Sequence, residues 1–132
     1  EFVNLFFLEN YESHLQCGII DFQSAFMGFI GWDLISLLEN PRINFTKDYN
    51  DKLIEYFYDN TPIIENLNTF REQYYVLSLA RQNRLLGRWR KLLSINNDNQ
   101  YLDYLKITKS RTAVTLNNIK NHELRSIYEK YL

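Results

Sequence analysis

Two aspartates in the first forty residues are the side chains best suited to chemistry. Asp21 lies at the end of an apolar run, within Gly-Ile-Ile-Asp-Phe-Gln at 18–23, and Asp33 follows twelve residues later. A carboxylate at the end of an apolar strand loses hydration, which costs free energy unless a metal ion, a cation or several N–H donors compensate. Asp21 therefore either belongs to a binding site or caps the turn after the strand, and the residue types alone leave both open.

Charged residues are distributed unevenly along the chain. Residues 1–41 contain six acidic residues and no lysine or arginine, whereas residues 71–91 contain six basic residues and a single acid, Glu72. One basic helical stripe is predicted from the 3, 4 and 3 spacing of Arg81, Arg84, Arg88 and Lys91. That stripe is either a solvated face that complements acidic residues elsewhere in the fold or a site for an anion or a partner.

The overall composition predicts one folded domain, residues 1–132, with 45% apolar and 23% charged residues. The net charge of −1 argues against nucleic-acid binding, because the protein as a whole has no excess of positive charge to attract a phosphate backbone. No apolar stretch approaches the roughly 20 residues of a membrane span. The single cysteine, Cys17, excludes an internal disulfide and fits a reducing cytosol. We therefore expect a cytoplasmic protein that binds no membrane, with Cys17 in its core.

The hydrophobic pattern predicts a β-hairpin followed by about five helices, an α+β fold that is mainly helical. Two apolar runs at 3–8 and 15–22 flank the polar residues 9–14, which are long enough for an open hairpin loop. Pro41 stops the first helix, since the residue before a proline disfavours the α region. The helices are expected at 32–39, from 46 or 48 to about 60, at about 66–94, at about 100–119 and at 122–132.

Three aromatic residues, Phe26, Phe29 and Trp32, flank the loop that follows Asp21. Aromatic side chains next to a candidate site either wall a substrate pocket or pack in the hydrophobic core. We expect core packing for these three.

The residues around Asp21 resemble a known enzyme family. Ile-Asp-Phe-Gln at 20–23, a small residue and a glycine, then Asp-Leu-x-Ser-Leu-Leu at 33–38 are similar to aminoglycoside phosphotransferase and choline kinase-like enzymes. The bacterial branch with N-acetylmuramate/N-acetylglucosamine kinases and related predicted phosphotransferases looks closest. The match reaches back to Asn4 and forward through Leu86-Gly87 and Trp89 to Asn-His-Glu-Leu at 121–124, so it covers most of the chain.

The resemblance implies the C-terminal lobe of a protein-kinase-like fold and the transfer of phosphate from ATP to a small-molecule hydroxyl, with an amino sugar as the expected acceptor. Asp21 matches the family aspartate that binds Mg²⁺ between the nucleotide phosphates, and Asn4 matches the asparagine that holds a second Mg²⁺. Such hard oxygen ligands suit Mg²⁺. Asp33 matches a buried aspartate that supports the catalytic loop, although stabilisation by the dipole at a helix N-terminus accounts for it equally well.

The chain also departs from the family. The catalytic aspartate would fall two positions before Glu1, and no Gly-x-Gly-x-x-Gly loop is present. Lys47 and Lys52 follow the motif, so neither replaces the phosphate-pairing lysine of the missing N-terminal lobe, and Ala80 stands where the family has glutamine. We expect this chain alone to be inactive and to bind neither Mg²⁺ nor ATP. Because residue 1 is not methionine, we expect it to begin inside a longer reading frame or after processing.

A second hypothesis makes the chain a decayed or split-gene product without activity. It would act as a helical interaction module, self-associate, or pair with a separately encoded N-terminal lobe through apolar surface left exposed. An in-frame His-x-Asp and a Gly-rich lobe encoded upstream would favour the enzyme, whereas a stop codon or frameshift there would favour decay.

Overall fold

The computed structural model describes residues 4–21, 23, 27–43, 45–96 and 98–130 of the chain. Within these residues a two-stranded antiparallel hairpin precedes five helices, so the predicted α+β, mainly helical class is confirmed. The strands are β1 (Leu5–Phe7) and β2 (Cys17–Ile19), and the helices are α1 (Trp32–Leu38), α2 (Lys47–Asp59), α3 (Leu67–Asn96), α4 (Asn99–Asn117) and α5 (His122–Glu129). No helix in the described ranges is both long and apolar enough to cross a membrane.

The hairpin has shorter strands than predicted. Leu5 pairs with Ile19 and Phe7 with Cys17, and a hydrogen bond of 2.8 Å from the Leu8 N–H to the Gln16 carbonyl closes the loop. A short 3₁₀ turn at Ser13–Gln16 occupies the second half of that loop. The predicted strand ends at residues 3 and 22 lie outside the described residues, as do positions 131–132 at the end of the last predicted helix.

Local sequence signals set the ends of three of the helices, α1, α2 and α4. α1 ends at Leu38, shortly before Pro41. This end was expected, because a proline disfavours the α region for the residue that precedes it. The hydroxyl of Thr46 accepts a 3.3 Å hydrogen bond from the backbone N–H of Tyr49, so Thr46 is the N-cap of α2. The N-cap of α4 is Asp98, whose carboxylate accepts from the N–H of Gln100 at 2.9 Å.

The long helix α3 is the centre of the fold and packs against α1, α2 and α4. α3 and α4 form an antiparallel pair, since Gln82 bonds Thr115 and Trp89 bonds Thr108 across it. Two hydrophobic clusters lie along α3. The first joins α1, α2 and α3 and consists of Ile35, Leu38, Ile54, Phe70 and Tyr74, and the second joins α3 to the end of α4 through Leu79, Leu116 and Ile119.

Candidate functional site

The side chains of Asn4 and Asp21 lie at the open end of the hairpin and are in contact. Asn4 directly precedes β1, and a 3.0 Å hydrogen bond from the Ile20 N–H to the Asn4 carbonyl extends the strand pairing past Leu5 and Ile19. This register brings the Asn4 amide nitrogen Nδ2 to 2.8 Å from Oδ2 of Asp21, across 17 positions of sequence. The side chain of Gln23 donates to the other carboxylate oxygen of Asp21, Oδ1. Antiparallel pairing therefore gathers three polar side chains at one point.

The backbone of Asp21 is in the left-handed region, with φ of 64°. Aspartate enters this region more readily than most residues, but the conformation still costs of order 1–3 kcal/mol and persists only where the surroundings hold it. The two hydrogen bonds from Asn4 and Gln23 hold the Asp21 carboxylate in place. Strained residues of this kind are concentrated at functional sites.

The donor set at Asp21 fits part of a magnesium site. The exposed Asp21 carboxylate supplies hard oxygen atoms, and Mg²⁺ typically takes one or two carboxylates and completes its octahedron with water and substrate phosphates. Asn4 now donates through its amide nitrogen, so it would have to turn its side chain to present oxygen to a cation. Among the described residues, no group of three or more His, Cys, Asp or Glu side chains could hold a metal ion by itself.

Asp33 differs from the buried aspartate that the resemblance implied, because its side chain is exposed in the first turn of α1. No hydrogen-bond partner for its carboxylate is found among the described residues. A carboxylate in the first turn of a helix is stabilised by the positive end of the helix dipole. The dipole interpretation therefore accounts for Asp33 in this structure, and the catalytic-loop support stays a prediction.

The four basic residues of the predicted stripe do not share one exposed surface. Arg84, Arg88 and Lys91 are exposed on α3, and the Arg88 guanidinium lies 5.7 Å from the centre of the Trp89 ring. Arg81 is only 7% exposed, and its guanidinium donates to the backbone carbonyls of Glu39 and Ser36 at 3.3 and 3.4 Å. Arg81 thus fixes the end of α1 against α3, because that end carries unpaired carbonyl groups. An anion or partner role for the exposed three stays a prediction.

The expected core positions of Cys17 and of the three aromatic residues after Asp21 have different outcomes. Cys17 was expected in the core but is exposed on β2. Phe29 packs as expected, since its ring stacks on Phe70 with centroids 5.5 Å apart, and Trp32 is half-buried at the start of α1. Phe26 lies outside the described residues.

A second polar group, centred on Glu39 just after α1, was not predicted. Its carboxylate accepts hydrogen bonds from the Tyr74 hydroxyl at 3.1 Å and from the Gln82 amide at 3.4 Å. The hydroxyls of Ser78 and Thr115 lie 2.9 and 3.0 Å from the same Gln82 amide nitrogen, so these two and the Glu39 carboxylate share its two hydrogens. The sequence signal was weak: an acid that ends the apolar stretch Leu-Ile-Ser-Leu-Leu is typical of an exposed helix end.

Burial dominates the electrostatics of this group. Desolvation raises the pKa of Glu39, and the positive charge of Arg111 and the hydrogen bond from Tyr74 offset only part of that effect. Desolvation also lowers the pKa of Arg111, against the opposing charge of Glu39. The charged forms of Glu39 and Arg111 therefore both lose hydration in the folded protein.

No family model, no curated protein and no solved structure matches this chain.

Proposed function

We propose that this chain is the C-terminal portion of an ATP- and Mg²⁺-dependent phosphotransferase with the C-terminal lobe of a kinase-like fold. Its acceptor is a hydroxyl of a small molecule, of an amino-sugar type in view of the family resemblance. Asp21 and Asn4 are the Mg²⁺ ligands. The observation that supports this proposal is the contact between their side chains at the end of the hairpin, which accompanies a strained backbone at Asp21.

The chemistry assigned to these residues is charge neutralisation. Asp21 and Asn4 would hold Mg²⁺, which would supply the positive charge that offsets the negative charge of nucleotide phosphates during phosphoryl transfer. Residues 1–41 carry no lysine or arginine, so a cation is needed there before a nucleotide phosphate can approach. The base that orients the acceptor hydroxyl and the lobe that binds ATP would come from a separate segment, and the chain alone is inactive.

The metal site can be tested with Mn²⁺, whose paramagnetism broadens the NMR signals of nearby amides even when binding is weak. At concentrations far above those that fill a complete site, we expect broadening around Asn4 and Asp21. Asp21→Asn should abolish it, whereas Glu12→Gln, which removes another exposed carboxylate from the same hairpin, should leave it unchanged. Equal broadening in wild type and Asp21→Asn would refute the metal role. Tight binding of Mg·ATP by this chain would contradict the missing nucleotide lobe.

A second candidate function, an interaction module, is favoured by the apolar surface of the hairpin. Phe7 is 72% exposed and Ile19 63% exposed, and Phe6 and Ile20 are each about half exposed. Phe7 and Ile19 lie on one face of the hairpin and Phe6 and Ile20 on the other, because side chains alternate along a strand. A two-stranded hairpin is marginally stable alone, and exposed apolar surface is typical of a docking site. This surface would contact a missing N-terminal lobe or a second copy of the chain. Concentration-dependent association in sedimentation, reduced by Phe7→Ser, is the expected result; a monomer at all concentrations excludes self-association.

A further inference from the structure

The outer edge of β1 is open to a further strand. The hydrogen bond from the Leu8 N–H to the Gln16 carbonyl belongs to the hairpin, so the even-numbered residues of β1 point their backbone groups toward β2. Because these groups alternate in direction along a strand, the N–H and C=O of Leu5 and Phe7 point away from β2. Within the described parts of the chain, these outward groups make no hydrogen bond.

The outer edge of β2 is less open than that of β1. The N–H of Cys17, at the start of β2, donates to the carbonyl of His14 in the loop. Natural proteins protect exposed edge strands with lysine, proline, bulges or a covering element. β1 and the residue after it read Leu-Phe-Phe-Leu, without a charge or a proline, and both phenylalanines are exposed. β1 is therefore the edge that favours pairing with another strand.

A second copy of β1 fits this edge. Antiparallel pairing about a two-fold axis at Phe6 sets Leu5 of each copy opposite Phe7 of the other, and the exchanged hydrogen bonds satisfy all the outward groups. The same axis separates the two Glu9 positions by roughly 20 Å, since a strand rises about 3.3 Å per residue. That separation exceeds the screening length of about 8 Å at physiological salt, so the acids that follow β1 oppose the pairing little.

We propose that the chain forms a weak, reversible dimer in which the β1 strands of two copies pair antiparallel about Phe6. The two hairpins then form one four-stranded sheet in the order β2, β1, β1, β2. A covered phenylalanine buries roughly 150–250 Å², so the exposed parts of Phe6 and Phe7 offer roughly 360–600 Å² in two copies. A stable interface buries at least about 1,200 Å², and the dimer is weak for this reason. The inference rests on the second candidate function, the interaction module, and not on the phosphotransferase.

Cysteine cross-linking tests the register. In a Cys17→Ser background, Phe6→Cys places two thiols at the axis, where the Cα atoms of a non-hydrogen-bonded pair lie about 4.5 Å apart, within reach of a disulfide. Leu8→Cys is the matched control on the same face of the strand, because its two copies lie roughly 13 Å apart along the strands. With oxidised glutathione as the oxidant, we expect Phe6→Cys to form a disulfide-linked dimer several-fold faster than Leu8→Cys. Equal rates, or a faster reaction of Leu8→Cys, would overturn the proposed pairing.

Two substitutions of Phe7 separate backbone pairing from apolar contact. Phe7→Ala removes the ring and keeps the outward N–H, whereas Phe7→Pro removes both, and proline is tolerated where an edge N–H faces solvent. A two-fold dimer of Phe7→Pro lacks two hydrogen bonds, so sedimentation should show dimerisation at least about tenfold weaker than that of Phe7→Ala. If Phe7→Pro disturbs the hairpin, the Phe6 and Leu8 pair decides by itself.

The outcomes distinguish this dimer from the interaction module in general. Equal dimerisation of Phe7→Pro and Phe7→Ala would refute strand pairing and leave an apolar contact. Association that Phe7→Ser reduces, with equal cross-linking rates of the two cysteine variants, would keep the module and overturn this dimer. A wild-type chain that stays monomeric at all concentrations would also overturn it, and would leave only the missing lobe as a partner for the hairpin.

Discussion

The hydroxyl of Tyr74 donates a 3.1 Å hydrogen bond to the carboxylate of Glu39, and so joins α3 to the end of α1 inside the protein. Tyr74 is 1% exposed and belongs to the hydrophobic cluster that α1, α2 and α3 share. The bond gives the desolvated carboxylate a donor where water has been excluded. Burial and the nearby charge of Glu39 in turn raise the pKa of Tyr74, so its hydroxyl keeps its proton.

We predict that Tyr74→Phe lowers the free energy of unfolding by about 1–3 kcal/mol, because the buried Glu39 carboxylate loses a donor. Urea unfolding at neutral pH measures the change. Tyr56→Phe is the control, since Tyr56 is 67% exposed and its hydroxyl reaches water. That variant should change stability by less than about 0.5 kcal/mol. Equal effects of the two substitutions would show that the Tyr74 bond adds nothing.

The raised pKa of Glu39 predicts a specific pH dependence. Its ordinary value is 4.5 and its folded value is higher, so between the two the folded state binds more protons than the unfolded state. The contribution of Glu39 to stability therefore declines as the pH rises through this window. Glu39→Gln lacks the titration, and we expect the stability of the variant relative to wild type to increase with pH from about 4.5 upward. Urea unfolding at a series of pH values tests the slope, and a constant difference would contradict it.

Two glycines should respond oppositely to alanine. A Cβ on the buried Gly31 would lie 2.5 Å from the Phe29 ring and 2.9 Å from the Phe70 ring, so one of two packed aromatic rings must shift. We expect Gly31→Ala to cost about 1–3 kcal/mol. Gly87 lies inside α3 with open space around its Cβ position, and Gly87→Ala should stabilise by about 0.5–1 kcal/mol. Thermal unfolding of both variants should show shifts of opposite sign; shifts of the same sign would contradict the packing at Gly31.

Arg81 and Arg84 lie on the same helix, but Arg81 is buried and Arg84 is exposed. Arg81→Met keeps most of the side-chain volume but removes the hydrogen bonds to the end of α1, which should cost about 1.5–3 kcal/mol. Arg84→Met is the matched control on the exposed face and should change stability by less than about 0.5 kcal/mol. Urea unfolding of the two variants compares them directly. A negligible effect of Arg81→Met would mean that solvent replaces its contacts.

Much of the local structure could be predicted because its causes are local. Thr46 supplies a cap for α2 from a single side chain, and Pro41 acts through the backbone of the residues just before it. The polar stretch between two apolar runs likewise indicated the hairpin loop. The contact between Asn4 and Asp21 follows from the same hairpin, since antiparallel pairing places the residue before β1 beside the residues that follow β2.

The sequence by itself determined the order of elements and the hairpin, because each depends on residues close together along the chain. Asn4 was linked to Asp21 only through the family resemblance, since the two residues lie 17 positions apart. Only the tertiary structure decided that Arg81 is buried and that Glu39 lies in a polar interior group. Residue spacing defines which side chains share a helix face but not what covers that face. α3 contacts α1, α2 and α4, so polar residues on several of its faces are desolvated and must find partners from segments more than thirty residues away.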